Sequence, residues 1–248
     1  RALFRAAYTD VAVHASHALD ICRRMPAKPQ ALERQATLWL HLAAVRSILD
    51  GQSSSRIGEA LQRAFEIGEK AKGRNFHAAV ALQSLTLCCL GRIDEAQVLS
   101  TGLNDEYAKS LDPYIGIAAH FVEALICCLR GDLEGQDATS RRLLELFPPP
   151  EEVTDPLQFV HPRVHCWMAL AQALRGNRDK ALQHCRTALE MAQIRHDVFN
   201  VLAAKLTMVE IDATLGLVDG TGAAADKVYA EMTAAGAHQW AACAAMVS

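Results

Sequence analysis

Aromatic residues are scarce in this 248-residue chain, 6% of the total against 51% for all hydrophobic residues. The apolar material is therefore mostly Ala, Leu, Val and Ile. Ala and Leu are strong helix formers and strands favour aromatic and β-branched side chains, so a sheet-built core is not expected. An excess of one charge is also missing: 25 Lys and Arg stand against 28 Asp and Glu, a formal net charge of −3. That balance gives no electrostatic footprint for direct nucleic-acid binding or for an anionic membrane. No apolar run approaches the roughly 18–20 residues of a membrane-spanning helix, and nothing resembles a signal peptide. The sequence contains no C-x-x-C, G-x-S-x-G or H-E-x-x-H. With no nucleophile or metalloprotease signature, the expectation is a non-enzyme that uses no cofactor.

Cysteine is present, eight residues in all: Cys22, Cys88, Cys89, Cys127, Cys128, Cys166, Cys185 and Cys243. Six lie in Ala/Leu-rich helical runs, and vicinal pairs point to different sides of a helix, which disfavours bridging. Free thiols in a reducing, cytoplasmic setting are expected. The opening "RALFRAAYTDVAVHASHALDICRR" begins inside an amphipathic pattern without an initiator Met, so the chain is expected to be a fragment of a larger protein.

The chain repeats one phrase. "LCCLGRIDEA" (87–96), "CCLRGDLEGQ" (127–136) and "ALRGNRDKAL" (173–182) each end an apolar run in glycine and continue with a charged segment. The marker glycines are Gly51, Gly91, Gly131, Gly176 and Gly216, at spacings of 40, 40, 45 and 40. The longer interval holds "FPPPEEVTDP" (147–156), whose prolines predict an exposed loop. Fixed-period self-similarity predicts a solenoid. Helices are expected before each glycine at 33–50, 75–90, 113–130, 162–175 and 198–215. More charged partners follow at 56–72, 93–103, 133–147, 178–194 and 221–235. An opening helix at 3–24 and a closing one from 237 bring the total to about twelve. Proline at Asp112-Pro113 and His161-Pro162 suits a first helical turn, with His161 read as the cap of its helix.

"GRIDEA" (91–96) and "GNRDKA" (176–181) resemble the mid-repeat turn of tetratricopeptide repeats (TPRs). Seven residues before each glycine stand Ala44, Ser84, Ala124, Ala169 and Val209, mostly small, as close helix packing requires. Gln136 departs from this pattern where alanine is expected, Gly58 falls where Asp94 does, and the period exceeds the usual 34. Three longer segments resemble the repeat region of bacterial ATP-dependent transcriptional regulators of the winged-helix or LuxR/MalT type and of related cyclase-linked signalling ATPases. They are "IGEALQRAFEIGEKAKG" (57–73), "HPRVHCWMALAQALRGNRDKALQHCRTALEMA" (161–192) and "HDVFNVLAAKL" (196–206). The resemblance implies an all-α, TPR-like α-solenoid, a right-handed superhelix of about six helical hairpins spanning 1–248 as a single domain. It also implies attached ATPase and DNA-binding domains in the parent chain, and a protein or peptide partner, or a small inducer, in the superhelix groove. A stand-alone TPR scaffold for protein–protein interaction is the alternative.

Candidate chemistry is sparse. His161, His165 and Cys166 in "HPRVHC" offer part of a zinc site, but no second ligand pair follows at a recognised spacing, so no metal is expected. A thiol or metal enzyme centred on Cys166 and His165 is the remaining catalytic reading. His14 and His17 share one helical face, as expected of a solvated pair. "DGTGAAADK" (219–227) lacks the G-K-[ST] ending of a phosphate loop and reads as a helix start. Arg23-Arg24 and Arg141-Arg142 stand alone in acidic surroundings, as solvated faces do.

The first helix of each unit carries the clearer signal. Positions 10, 6 and 3 before the glycine are largely apolar, whereas positions 11, 8, 4 and 1 are wetter. Offsets of three and four keep the wet positions on one face. Stacked hairpins would align them into a stripe, either a solvated surface or the wall of a binding groove. The binding candidates are His120 and Glu123 in one unit and His165, Gln172 and Arg175 in the next.

Overall fold

The marker glycines close helices. In the computed structural model, which describes residues 8–26, 28–52, 54–71, 73–147, 160–217 and 219–247, all five have positive φ, from 70° to 88°. At Gly91 the chain reverses through two bonds: Gly91 N donates to Cys88 O and Arg92 N to Leu87 O. The same pair recurs at Gly131, Gly176 and Gly216. This double closure satisfies carbonyls that a helix end leaves open, and it needs a left-handed residue that glycine supplies without steric cost.

Twelve helices make up the regular structure of the described residues, and no strand is found among them. They are α1 (Tyr8–Cys22), α2 (Pro29–Leu49), α3 (Ser55–Ala71), α4 (Arg74–Cys89), α5 (Ile93–Ser110) and α6 (Pro113–Leu129). Then come α7 (Leu133–Leu146), α8 (Val160–Leu174), α9 (Arg178–Ile194), α10 (Val198–Thr214), α11 (Thr221–Ala234) and α12 (His238–Ala245). None is long and apolar enough to cross a membrane.

Two details depart from expectation. Helix α5 continues to Ser110 rather than stopping at 103, because Gly102 sits exposed within it with nothing within 4 Å. One glycine costs only about 1 kcal/mol in a helix, too little by itself to end one. Helix α8 starts at Val160, which places His161 inside the helix and removes its capping role. The proline-rich stretch from 148 lies outside the described residues, as does residue 159.

Two compact units result: Thr9–Ser47 with Gln52–Gln158, and Arg1–Tyr8, Ile48–Gly51 with Phe159–Ser248. Within the first, α3 packs on α4, α4 on α5 and α6, and α6 also on α5 and α7. Helix α6 is the central element, and twelve of its seventeen residues are buried. Within the second, α8 packs on α9 and α10, α10 on α9 and α11, and α11 on α12. In both units a first helix therefore touches its own partner and the first helix of the next hairpin. Small residues permit this approach: Ser84, Ala124 and Ala169 are fully buried, and so are Ala96, Ala181 and Ala188 beyond the turns. Gln136, standing where alanine is expected, is also fully buried, and its amide donates to Ser140 Oγ at 3.4 Å.

Candidate functional site

In the first unit His120 and Glu123 project from α6 one turn apart. His120 is only 8% exposed, with its ring edge-on to Tyr107 of α5 at a centroid distance of 5.5 Å. Its Nδ1 lies 3.4 Å from Glu123 Oε2. The hydrogen bond from His120 holds the half-buried Glu123 carboxyl below its ordinary range, helped by the charges of His120 and Arg142 against the cost of burial. Position 11 before the glycine is thus not wet here. Helices α4, α5 and α7 pack around α6, and His120 on it meets protein before water.

Sequence reasoning missed a neighbouring cleft of about 230 Å³, lined by Glu69, Gly73, Phe76, His77 and Glu106. His77 Nε2 on α4 and Glu106 Oε1 on α5 pair at 2.8 Å, and Phe76 meets His77 edge-on and Phe65 at a 43° tilt. A second, wider opening of about 580 Å³ shares Gly73 and is lined by Pro29, Gln30, Glu33, Arg34 and Thr37. Buried Asn75 is tied to the second: its side-chain amide donates to Glu33 Oε1 at 2.7 Å and to Thr37 Oγ1 at 2.9 Å. Glu33 Oε1 also accepts from the Asn75 backbone N–H, so α2 caps α4 from outside. These contacts join positions 38 to 42 residues apart, which no local spacing reveals.

In the second unit His165 and Gln172 lie on α8, and Arg175 follows its last residue. Gln172 is 6% exposed, and its Oε1 accepts from Asn177 Nδ2 at 3.0 Å while its carbonyl accepts from Asn177 N. It fastens the turn after α8, so its polarity is used structurally. Arg175 is half-buried at the end of the helix. His165 turns toward α9, where its Nδ1 lies 3.2 Å from His184 Nδ1. His161 stacks on the His165 ring at 5.9 Å. Burial, then the neighbouring imidazole, lowers His165 to about 4; burial, then His165 and Arg195, lowers His161 to about 3. His120 and His165 both stand eleven residues before a stop glycine, yet they face different helices, α5 and α9.

Cys166 does not join His165. It is buried against Ala188 and Ala204, and burial raises its thiol further out of reactive range. All eight cysteines are free thiols, and burial lifts Cys88 to about 11. Elsewhere in this unit the Arg163 guanidinium lies 4.6 Å over the Trp240 ring and 5.8 Å over Phe199. Among the described residues, no group of three or more His, Cys, Asp or Glu is arranged to hold a metal ion.

Of the five residues singled out from sequence, Glu123, His165 and Arg175 keep polar surface, whereas His120 and Gln172 are spent on internal contacts. No protein-family model matches the chain, and no curated protein is significantly similar to it.

Proposed function

We propose that this chain is a non-catalytic interaction and ligand-sensing domain with a TPR-like solenoid form, part of a larger cytoplasmic ATP-dependent transcriptional regulator. The observation that carries this reading is the repeated hairpin. Four stop glycines close the same two-bond turn, and first helices pack on the first helices of neighbouring hairpins in each unit. Solenoids built in this way use the aligned first helices as extended recognition surfaces. Part-exposed Glu123 in one unit and, separately, part-exposed Arg175 in the other each offer a charged contact to a protein or peptide partner or a small inducer. Binding there would bias the packing of adjacent hairpins, and through it an attached ATPase switch. The test is biochemical and uses the complete parent protein. ATP hydrolysis that responds to a bound effector, and loses that response in R175E while the basal rate persists, supports the reading. A parent protein without a nucleotide-binding module overturns it.

A further inference from the structure

We propose that His165 of α8 and His184 of α9 form a seat for one borderline divalent ion, zinc, nickel or copper, held between their Nδ1 atoms with water completing the shell. The two Nδ1 atoms face each other at 3.2 Å, with ring centroids 5.5 Å apart and planes inclined by 34°. A zinc ion bonds imidazole nitrogen at about 2.0–2.1 Å, so two nitrogens in a tetrahedral shell stand about 3.3 Å apart. The pair already has that bite. A hydrogen bond between them requires one Nδ1–H donor and one bare Nδ1 acceptor. Moving the donor's proton to its own Nε2 leaves two lone pairs facing each other along the 3.2 Å line, and turning each ring by about 35° aims both at an ion beside that line, with no proton lost from the protein.

The seat rests on rigid elements. Helices α8 and α9 pack directly, with fully buried Ala169 and Ala181 in the seam about one turn from the pair and buried Cys185 next to His184. Both histidines are half-buried, so an ion arriving from solvent can reach them. His161, one turn before His165, stacks on it with planes 23° apart and forms a third imidazole wall. An all-nitrogen donor set selects borderline transition metals over magnesium or calcium, which prefer oxygen. Two protein ligands rather than three imply modest affinity and open coordination positions, to which a partner or small ligand could bind. The proposal does not depend on the regulatory reading above.

Calorimetric titration of EDTA-treated, dialysed full chain with zinc chloride tests it. One equivalent should bind, and H184Q, which keeps a hydrogen-bonding side chain beside His165, should weaken that site by at least about tenfold. The double variant H14Q/H17Q removes an exposed histidine pair on α1 and should leave the titration unchanged. Zinc should also raise the melting temperature of wild type but not of H184Q, a readout independent of stoichiometry. Absence of a one-equivalent transition, affinity unchanged in H184Q, or loss of binding only in H14Q/H17Q would each overturn the proposal.

Discussion

Leu111 and His196 adopt left-handed backbone, φ 52° and 54°, at turns between hairpins where no glycine marks the sequence. At His196 the chain makes the same two-bond closure as at the stop glycines, with His196 N on Gln193 O and Asp197 N on Ala192 O. A side chain in this region costs roughly 1–2 kcal/mol. Both residues are exposed, so their side chains recover little of that cost. L111G and H196G should therefore each raise stability, by up to about 1 kcal/mol after the entropy of the unfolded chain is counted. Urea denaturation checks this, and destabilisation in both variants would show that the side chains, not the backbone, dominate. The places of these turns were legible, at 194–198 and before Pro113, but their left-handed conformation was not, because no glycine marks it and only a backbone trace shows other residues adopting it. His161 misled for a related reason: proline at 162 fits a first turn, but it does not say which residue of that turn it occupies.

Single helices show where spacing succeeds and where it fails. The small positions before Gly91, Gly131 and Gly176 were legible because close approach of two helices tolerates little else, as buried Ser84, Ala124 and Ala169 show, whereas Ala44 before Gly51 is only half-buried. Gly68 of α3 obeys the same rule less visibly. A Cβ there would meet the backbone N of Phe76 at 2.9 Å and its Cα at 3.0 Å, and backbone cannot swing aside as a side chain can. G68A should cost about 1–3 kcal/mol, whereas G58A, where a Cβ meets nothing within 4 Å, should be neutral or slightly stabilising. Equal melting temperatures for the two variants would contradict this crossing of α3 and α4. The α8–α9 pair carries a pH dependence. His161 and His165 have folded values of about 3 and about 4 against an ordinary 6.5, so folding favours their neutral forms. Stability is then full above 6.5 and falls as pH drops from there toward 4, while the unfolded chain takes up protons that the folded chain refuses. In EDTA-treated protein the slope from this source should not exceed about 1.4 kcal/mol per pH unit for each histidine, less after solvent screening. Substituting His161 by Gln should flatten the curve. An unchanged slope would place the acid sensitivity elsewhere.

Across the whole molecule, the repeat was legible and the polar stripe only partly so. Period and turn chemistry are local properties, and they fixed the helix order from the opening helix to the last. Which polar residues stay wet depends on what packs beside them. Enclosure of α6 by three helices buried His120, and Asn177 claimed Gln172, neither of which offset counting can reveal. Charge reversal at Glu123 would set a cation against His120 and Arg142, so E123Q is the cleaner probe of that position. Leu125 is 8% exposed, and its truncation to Ala should cost about 2–5 kcal/mol, while Leu170, only partly buried beside Ala169 and Ile211, should cost less. The central claim, that the part-exposed polar residues of the first helices recognise a partner, is tested most directly by equilibrium binding. A photo-crosslinker placed at exposed Leu174, beside an intact Arg175, identifies what contacts α8 in extracts of the native host, and the purified contact is then titrated against wild type, E123Q and R175E. The account predicts that R175E raises the dissociation constant at least about tenfold, or about 1.4 kcal/mol, with an unchanged circular dichroism spectrum. Undiminished affinity in both variants, with their folds intact, would contradict it and leave the stripe a solvated surface.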